Sequence, residues 1–70
     1  MAIYNVIEEP SITQKGVTLF YVQGYPTGRS SSVEETRRTF SREEAEEWAA
    51  RRNAGLPATG KEHWAMYADD

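Results

Sequence analysis

Seventy residues, with eleven acidic against eight basic side chains and a net charge of −3, make one domain over 1–70 that buries only about 60% of its unfolded surface, leaving no room for a deep cleft. The acidic balance argues against indiscriminate attraction to nucleic acid, and the absence of cysteine excludes a disulfide framework and a thiolate metal site. No apolar run approaches the roughly 20 residues that a membrane span needs, and Met1-Ala2-Ile3-Tyr4-Asn5 lacks the layout of a signal peptide, so we expect a cytoplasmic protein, complete as written.

In chain order, Ile3 to Ile7 alternates as a strand, with Ile3 and Ile7 on one face and Tyr4 and Val6 on the other. It breaks at Glu9-Pro10 and could resume through Ser11-Ile12-Thr13. Gln14-Lys15-Gly16 reads as a turn, and Val17 to Tyr25, rich in branched and aromatic residues, as the best strand of the chain. Both faces of that strand carry apolar groups. If Phe20 and Val22 face a helix, then Leu19, Tyr21, Gln23 and Tyr25 line a surface that one helix cannot cover.

Proline, glycine and a serine run make Tyr25 to Ser32 a solvated hairpin loop. Val33 to Phe40 then reads as a charged edge strand, with Glu34, Glu35, Arg37 and Arg38 discouraging further pairing and Phe40 delivered to the core. Ser41-Arg42-Glu43-Glu44 opens a helix over about residues 42–54. Ser41 accepts from the first turn, Glu44 reaches back to the Ser41 amide, and Gly55 ends the helix in the left-handed conformation. Ala45, Trp48 and Ala49 form its apolar stripe, and Glu47 with Arg51 makes an i, i+4 pair. Leu56 to Gly60 is a connecting loop, and Glu62 to Ala68 reads as a short fourth strand rather than a second helix. The fold expected is α+β: a three- or four-stranded antiparallel sheet packed on one face by a single helix, with Phe20, Val22, Phe40, Trp48 and Leu56 in the core.

The chemistry-bearing residues are sparse. His63 is the one histidine and has no cysteine companion, so neither a metal site nor a catalytic role is expected of it. Ser30-Ser31-Ser32 lacks the setting of a nucleophile, and Gly24/Gly28 and Gly55/Gly60 do not make a phosphate loop. We therefore expect no enzyme, no cofactor and no metal. What stands out is a basic and aromatic set, Lys15, Tyr21, Gln23, Arg29, Arg37 and Arg38, placed by the pattern on or around the sheet.

Three strands, the last closing on Arg37-Arg38-Thr39-Phe40, followed by Ser41-Arg42-Glu43-Glu44-Ala45-Glu46-Glu47-Trp48-Ala49, resemble the arm-type, AP2-like DNA-binding domain of tyrosine recombinases over about residues 3–54. That resemblance implies a sheet laid in the major groove, with Tyr21, Gln23, Arg29 and Arg37 as base or phosphate contacts, in a recombination accessory factor or regulator. The chain is also similar, in size, charge and layout, to small phage anti-CRISPR inhibitors, which implies a protein partner in a host defence complex. Of the two, the acidic balance favours non-enzymatic protein binding in a phage or mobile-element setting over DNA. Tyr21, Gln23, Tyr25, Arg29 and Arg37 on the sheet, with Glu43 and Glu47 on the helix flank, are the candidate contacts, since tyrosine and arginine dominate interface energetics. A homodimer through the Val33 to Phe40 edge or the uncovered face fits the same pattern.

Overall fold

In the computed structural model, which describes residues 3–25 and 32–68, the chain runs β1 (Ile3–Pro10), β2 (Thr18–Tyr25), β3 (Ser32–Glu35), α1 (Arg42–Asn53) and β4 (Ala65–Ala68). The strands pair antiparallel in the order β1-β2-β3-β4, and α1 packs on one face of the sheet, an α+β layout. The charged segment expected at an edge is therefore an inner strand, because β4 pairs along its far side. The strand expected from Glu62 begins at Ala65, and β1 ends at Pro10 instead of resuming beyond it.

Period-two alternation sets the core. The β1–β2 register puts Tyr4 opposite Gly24 and Val6 opposite Val22 on the face toward α1. From the helix, Ala45, Trp48 and Ala49 close onto Tyr4 and Val22, with Val6, Phe20 and Trp64 packed around them. Trp48 and Val22 are fully buried; losing an indole from such a position costs about 3–5 kcal/mol. Tyr4 lies across Gly24, where an added Cβ would stand 2.5 Å from the Ile3 carbonyl oxygen and 2.7 Å from Tyr4 Cγ. Only a glycine admits the ring there.

Both ends of α1 are capped. Ser41 Oγ accepts from the Glu44 amide at 3.1 Å, as the S-x-x-E pattern requires. The reciprocal half is relayed: Thr39 donates its hydroxyl to Glu44 Oε1 at 2.6 Å and accepts from the Ser41 amide at 3.2 Å. At the other end Gly55 adopts φ 74°, with the Leu56 amide on the Arg51 carbonyl at 2.9 Å and the Gly55 amide on that of Arg52 at 3.2 Å. This is a Schellman turn. Leu56 serves the turn and is half exposed, so it does not enter the core.

Phe40 is outside the core as well, 69% exposed, and the cause lies upstream. Gln23 pairs with Glu35 but Phe20 bridges to Thr39, so β2 advances three residues while its partner advances four. The extra residue is a bulge, held by Thr36, whose amide donates to the Val22 carbonyl at 3.0 Å and whose hydroxyl accepts from the Val22 amide at 2.9 Å. Beyond it every side chain changes face. Arg37 and Thr39 go to the helix side; Arg38 goes to the other, and Phe40 is turned outward.

Candidate functional site

The face of the sheet away from α1 is covered by no other element among the described residues. Across it the register sets Ile3 opposite Tyr25, Asn5 opposite Gln23, Ile7 opposite Tyr21 and Glu9 opposite Leu19, then Gln23 opposite Glu35, and Val33 and Glu35 opposite Tyr67 and Ala65. The two ends of this face differ. At one, Ile3, Tyr25 and Tyr67 are 60%, 44% and 54% exposed, an apolar and phenolic surface spread over β1, β2 and β4.

Toward the other end the face is polar and internally paired. The Arg38 guanidinium lies 3.9 Å from the Tyr21 ring centroid, donates to Glu9 Oε2 at 3.1 Å and approaches Glu35 Oε1 at 3.6 Å. Gln23 donates to Glu35 Oε2 at 2.7 Å. The hydrogen bond from Arg38 holds the Glu9 carboxyl below its ordinary pKa, and the same bond raises that of Arg38. Two carboxylates thus neutralise the one cation that the described residues place on this face.

Tyr21, Gln23 and Tyr25 are brought together there, as the alternation of β2 predicts. Arg37 is not. The bulge sends its guanidinium over the Trp48 ring, 5.1 Å from the centroid, where Nε donates to the Lys61 carbonyl at 2.7 Å. Glu43 and Glu47 are exposed on α1, the layer behind the sheet, so one flat partner cannot meet them and the tyrosines together. Arg51 is drawn to the Pro57 carbonyl at 2.7 Å, and no Glu47–Arg51 ion pair forms among the described residues. Arg29 lies outside the described residues.

The buried carboxylates have structural partners. Glu34 accepts from the Tyr4 hydroxyl at 2.8 Å and from Arg52 at 2.7 Å, while Arg52 stacks over Trp64 at 4.6 Å. Burial first, then the Glu34 carboxylate, raises the Tyr4 pKa; the bond to Glu34 raises that of Arg52. Glu62 accepts from the Thr59 hydroxyl at 2.6 Å and from the Thr59 and Lys61 amides at 2.9 and 3.0 Å. Burial alone would raise its pKa, yet the Thr59 hydroxyl and the backbone of Thr59, Glu62 and Gly60 together pull it down to about 2. Among the described residues no group of three or more His, Cys, Asp or Glu is placed to hold a metal, and no helix is long and apolar enough to cross a membrane.

No protein-family model, curated protein or solved structure matches the chain.

Sequence reasoning missed Tyr67 and Ile3 as partners of Tyr25 and chose Arg37 over Arg38. For Tyr67 the signal was present: a tyrosine in a short strand, whose face is set once its pairing with Val33 is known. For Arg38 there was none, since no glycine or proline marks the bulge.

Proposed function

We propose that the protein is a non-enzymatic binding module that recognises another protein with the uncovered face of its sheet, centred on Ile3, Tyr25 and Tyr67. One observation carries this reading: that end of the face exposes two tyrosines, a side chain enriched at protein interfaces, beside a branched aliphatic, while the arginine on the same face is neutralised by Glu9 and Glu35. A sheet that reads DNA needs free cations for the phosphates. Here Arg37, one of the contacts implied by the recombinase-arm resemblance, is turned to the helix side. The setting that fits is a phage or mobile-element inhibitor of a host defence complex, on the resemblance in size, charge and layout.

Affinity capture from a host lysate with three baits tests the reading: the native chain, Tyr25→Lys/Tyr67→Lys on the sheet face, and Glu43→Lys/Glu47→Lys on the helix. The expected result is one protein held by the native chain and the helix variant but reduced at least tenfold on the sheet-face variant. Equal retention on that variant overturns the reading. So does binding of the native chain to random duplex DNA that weakens steeply with salt, which would restore the DNA-binding alternative.

A further inference from the structure

Among the described residues one non-glycine has a positive φ and one buried side-chain polar atom has no hydrogen-bond partner, and the two residues are consecutive: His63, at φ 53°, and Trp64, whose Nε1 meets no acceptor. Both stand where the chain leaves its last loop for β4. A left-handed backbone is unfavourable for a residue with a Cβ, and a buried indole N–H without an acceptor forgoes the hydrogen bond that water offers it elsewhere. Seating this segment on the protein therefore carries two costs that releasing it removes.

Residues 56–68 are fastened mainly along one seam. Because the Tyr4 amide and carbonyl turn from β2 to Asn53, alternation makes Gly24 and Glu34 face each other and sends the backbone groups of Val33 and Glu35 toward Tyr67 and Ala65. The seam continues at Arg37, whose amide donates to the Glu62 carbonyl at 2.8 Å and whose Nε donates to that of Lys61 at 2.7 Å. From the helix, Arg51 donates to the Pro57 carbonyl. The large apolar residue that fastens the segment is Trp64, edge-on to Tyr4 with ring centroids 5.4 Å apart and under Arg52, since Leu56, Met66 and Tyr67 are half exposed or more. The Glu62 carboxylate accepts from Thr59 and Lys61, inside the segment, so it keeps the shape of the loop without tying it to the sheet. By contrast β1 and β2 pair along eight residues, and Tyr4 and Val22 on them are buried against the helix.

We infer that residues 56–68 form an arm that opens from β3 and α1 as one unit while β1, β2 and α1 stay folded. Opening gives the Trp64 indole to water, frees His63 from its left-handed backbone and uncovers the outer side of β3. While the arm is closed that side is covered, so the dimer expected through Val33 to Phe40 finds no free edge there. Opening also withdraws Tyr67 from Ile3 and Tyr25. This bearing on the binding face rests on the function proposed above: a partner that meets all three side chains holds the arm shut, and its apparent affinity scales with the closed fraction.

Native-state amide exchange of the free chain in rising sub-denaturing urea decides the opening, and it needs no variant and no partner. The Arg37 and Tyr67 amides, on opposite sides of the seam, are expected to share one opening constant at least tenfold above that of Val22, with a shallower urea dependence. Exchange of both amides only together with Val22, through global unfolding, overturns the inference. So does a Tyr67 amide that opens alone at the strand end while Arg37 stays with Val22. The coupling is read by adding an excess of the protein captured from lysate: the Arg37 amide should slow at least tenfold, although Arg37 lies on the helix side, away from the binding face. An unchanged Arg37 rate overturns the coupling and keeps the proposed function, whereas capture of no protein by the native chain overturns that function and the coupling with it, and the free-chain exchange still decides the arm.

Discussion

The side-chain amide of Asn53, in the last turn of the helix, is bonded in both directions to the backbone of Tyr4 on the outermost strand, accepting at 2.8 Å and donating at 3.0 Å. It does there what a fifth strand would do. It also ties residue 4 to residue 53, nearly the full span of the sheet–helix layer. Asn53→Ala strands a donor and an acceptor in a partly covered place, at a cost of about 1–2 kcal/mol. The fall in the urea midpoint measures the loss. Amide exchange at Tyr4 should quicken by more than that fall explains, whereas Val22, deep in the core, should quicken only in proportion to it.

Gly24→Ala should be among the most damaging single-methyl additions in the chain. Its Cβ would meet the Ile3 carbonyl oxygen as well as the Tyr4 ring, so rotating the tyrosine does not relieve the contact. Overpacking of this kind costs about 1–3 kcal/mol, and the strand pair must open to accept it. Thermal unfolding of Gly24→Ala and Tyr4→Leu/Gly24→Ala checks the point: the second change should restore only part of the stability, because the carbonyl stays where it was. Full recovery would locate the strain in the ring alone.

Local signals were legible in the sequence wherever one element carried them whole. Ser41 and Gly55 bracket the helix as their chemistry dictates, Ala45, Trp48 and Ala49 are its buried stripe, and the alternation of β2 divides Phe20 and Val22 from Tyr21, Gln23 and Tyr25. What could not be read depends on pairing between distant segments. A strand carrying Glu34, Glu35, Arg37 and Arg38 looks like an edge, yet Glu34 is buried because Tyr4 and Arg52 meet it from two other elements. One unmarked extra residue near Thr36 then exchanges the faces of Arg37 and Arg38 and puts Thr39 where Phe40 was expected. The same shift decides which arginine reaches the candidate site.

Arg52→Met leaves the Glu34 carboxylate buried with the Tyr4 hydroxyl as its remaining side-chain donor. Arg52 is partly exposed, so solvent screening moderates the loss; a fall of about 1–3 kcal/mol is expected. Glu34→Leu/Arg52→Met should recover some of it, since replacing both members of a buried ion pair by apolar groups is less harmful than orphaning one. Denaturant unfolding of the two single variants and the double variant closes the cycle. A double variant no better than Arg52→Met would mean that the pair contributes through packing over Trp64 and not through charge.

Glu62 gives the fold its clearest acid-sensitive contact. Its carboxyl titrates at about 2 in the folded chain against 4.5 when unconstrained. A depressed folded pKa contributes stability that is fully present above the unfolded value and is lost as pH falls through the folded one. The window is therefore pH 4.5 down to about 2, and the stability lost across it is on the order of 3 kcal/mol. Glu62→Gln keeps the shape but loses the charge that the Thr59 hydroxyl and the Thr59 and Lys61 amides address. It should be markedly less stable than the native chain at neutral pH, and the two should converge as the pH approaches 2. Stability measured by urea unfolding at closely spaced pH values reads both effects. Parallel curves for the two proteins across that window would show that the Glu62 charge is not what the loop stabilises.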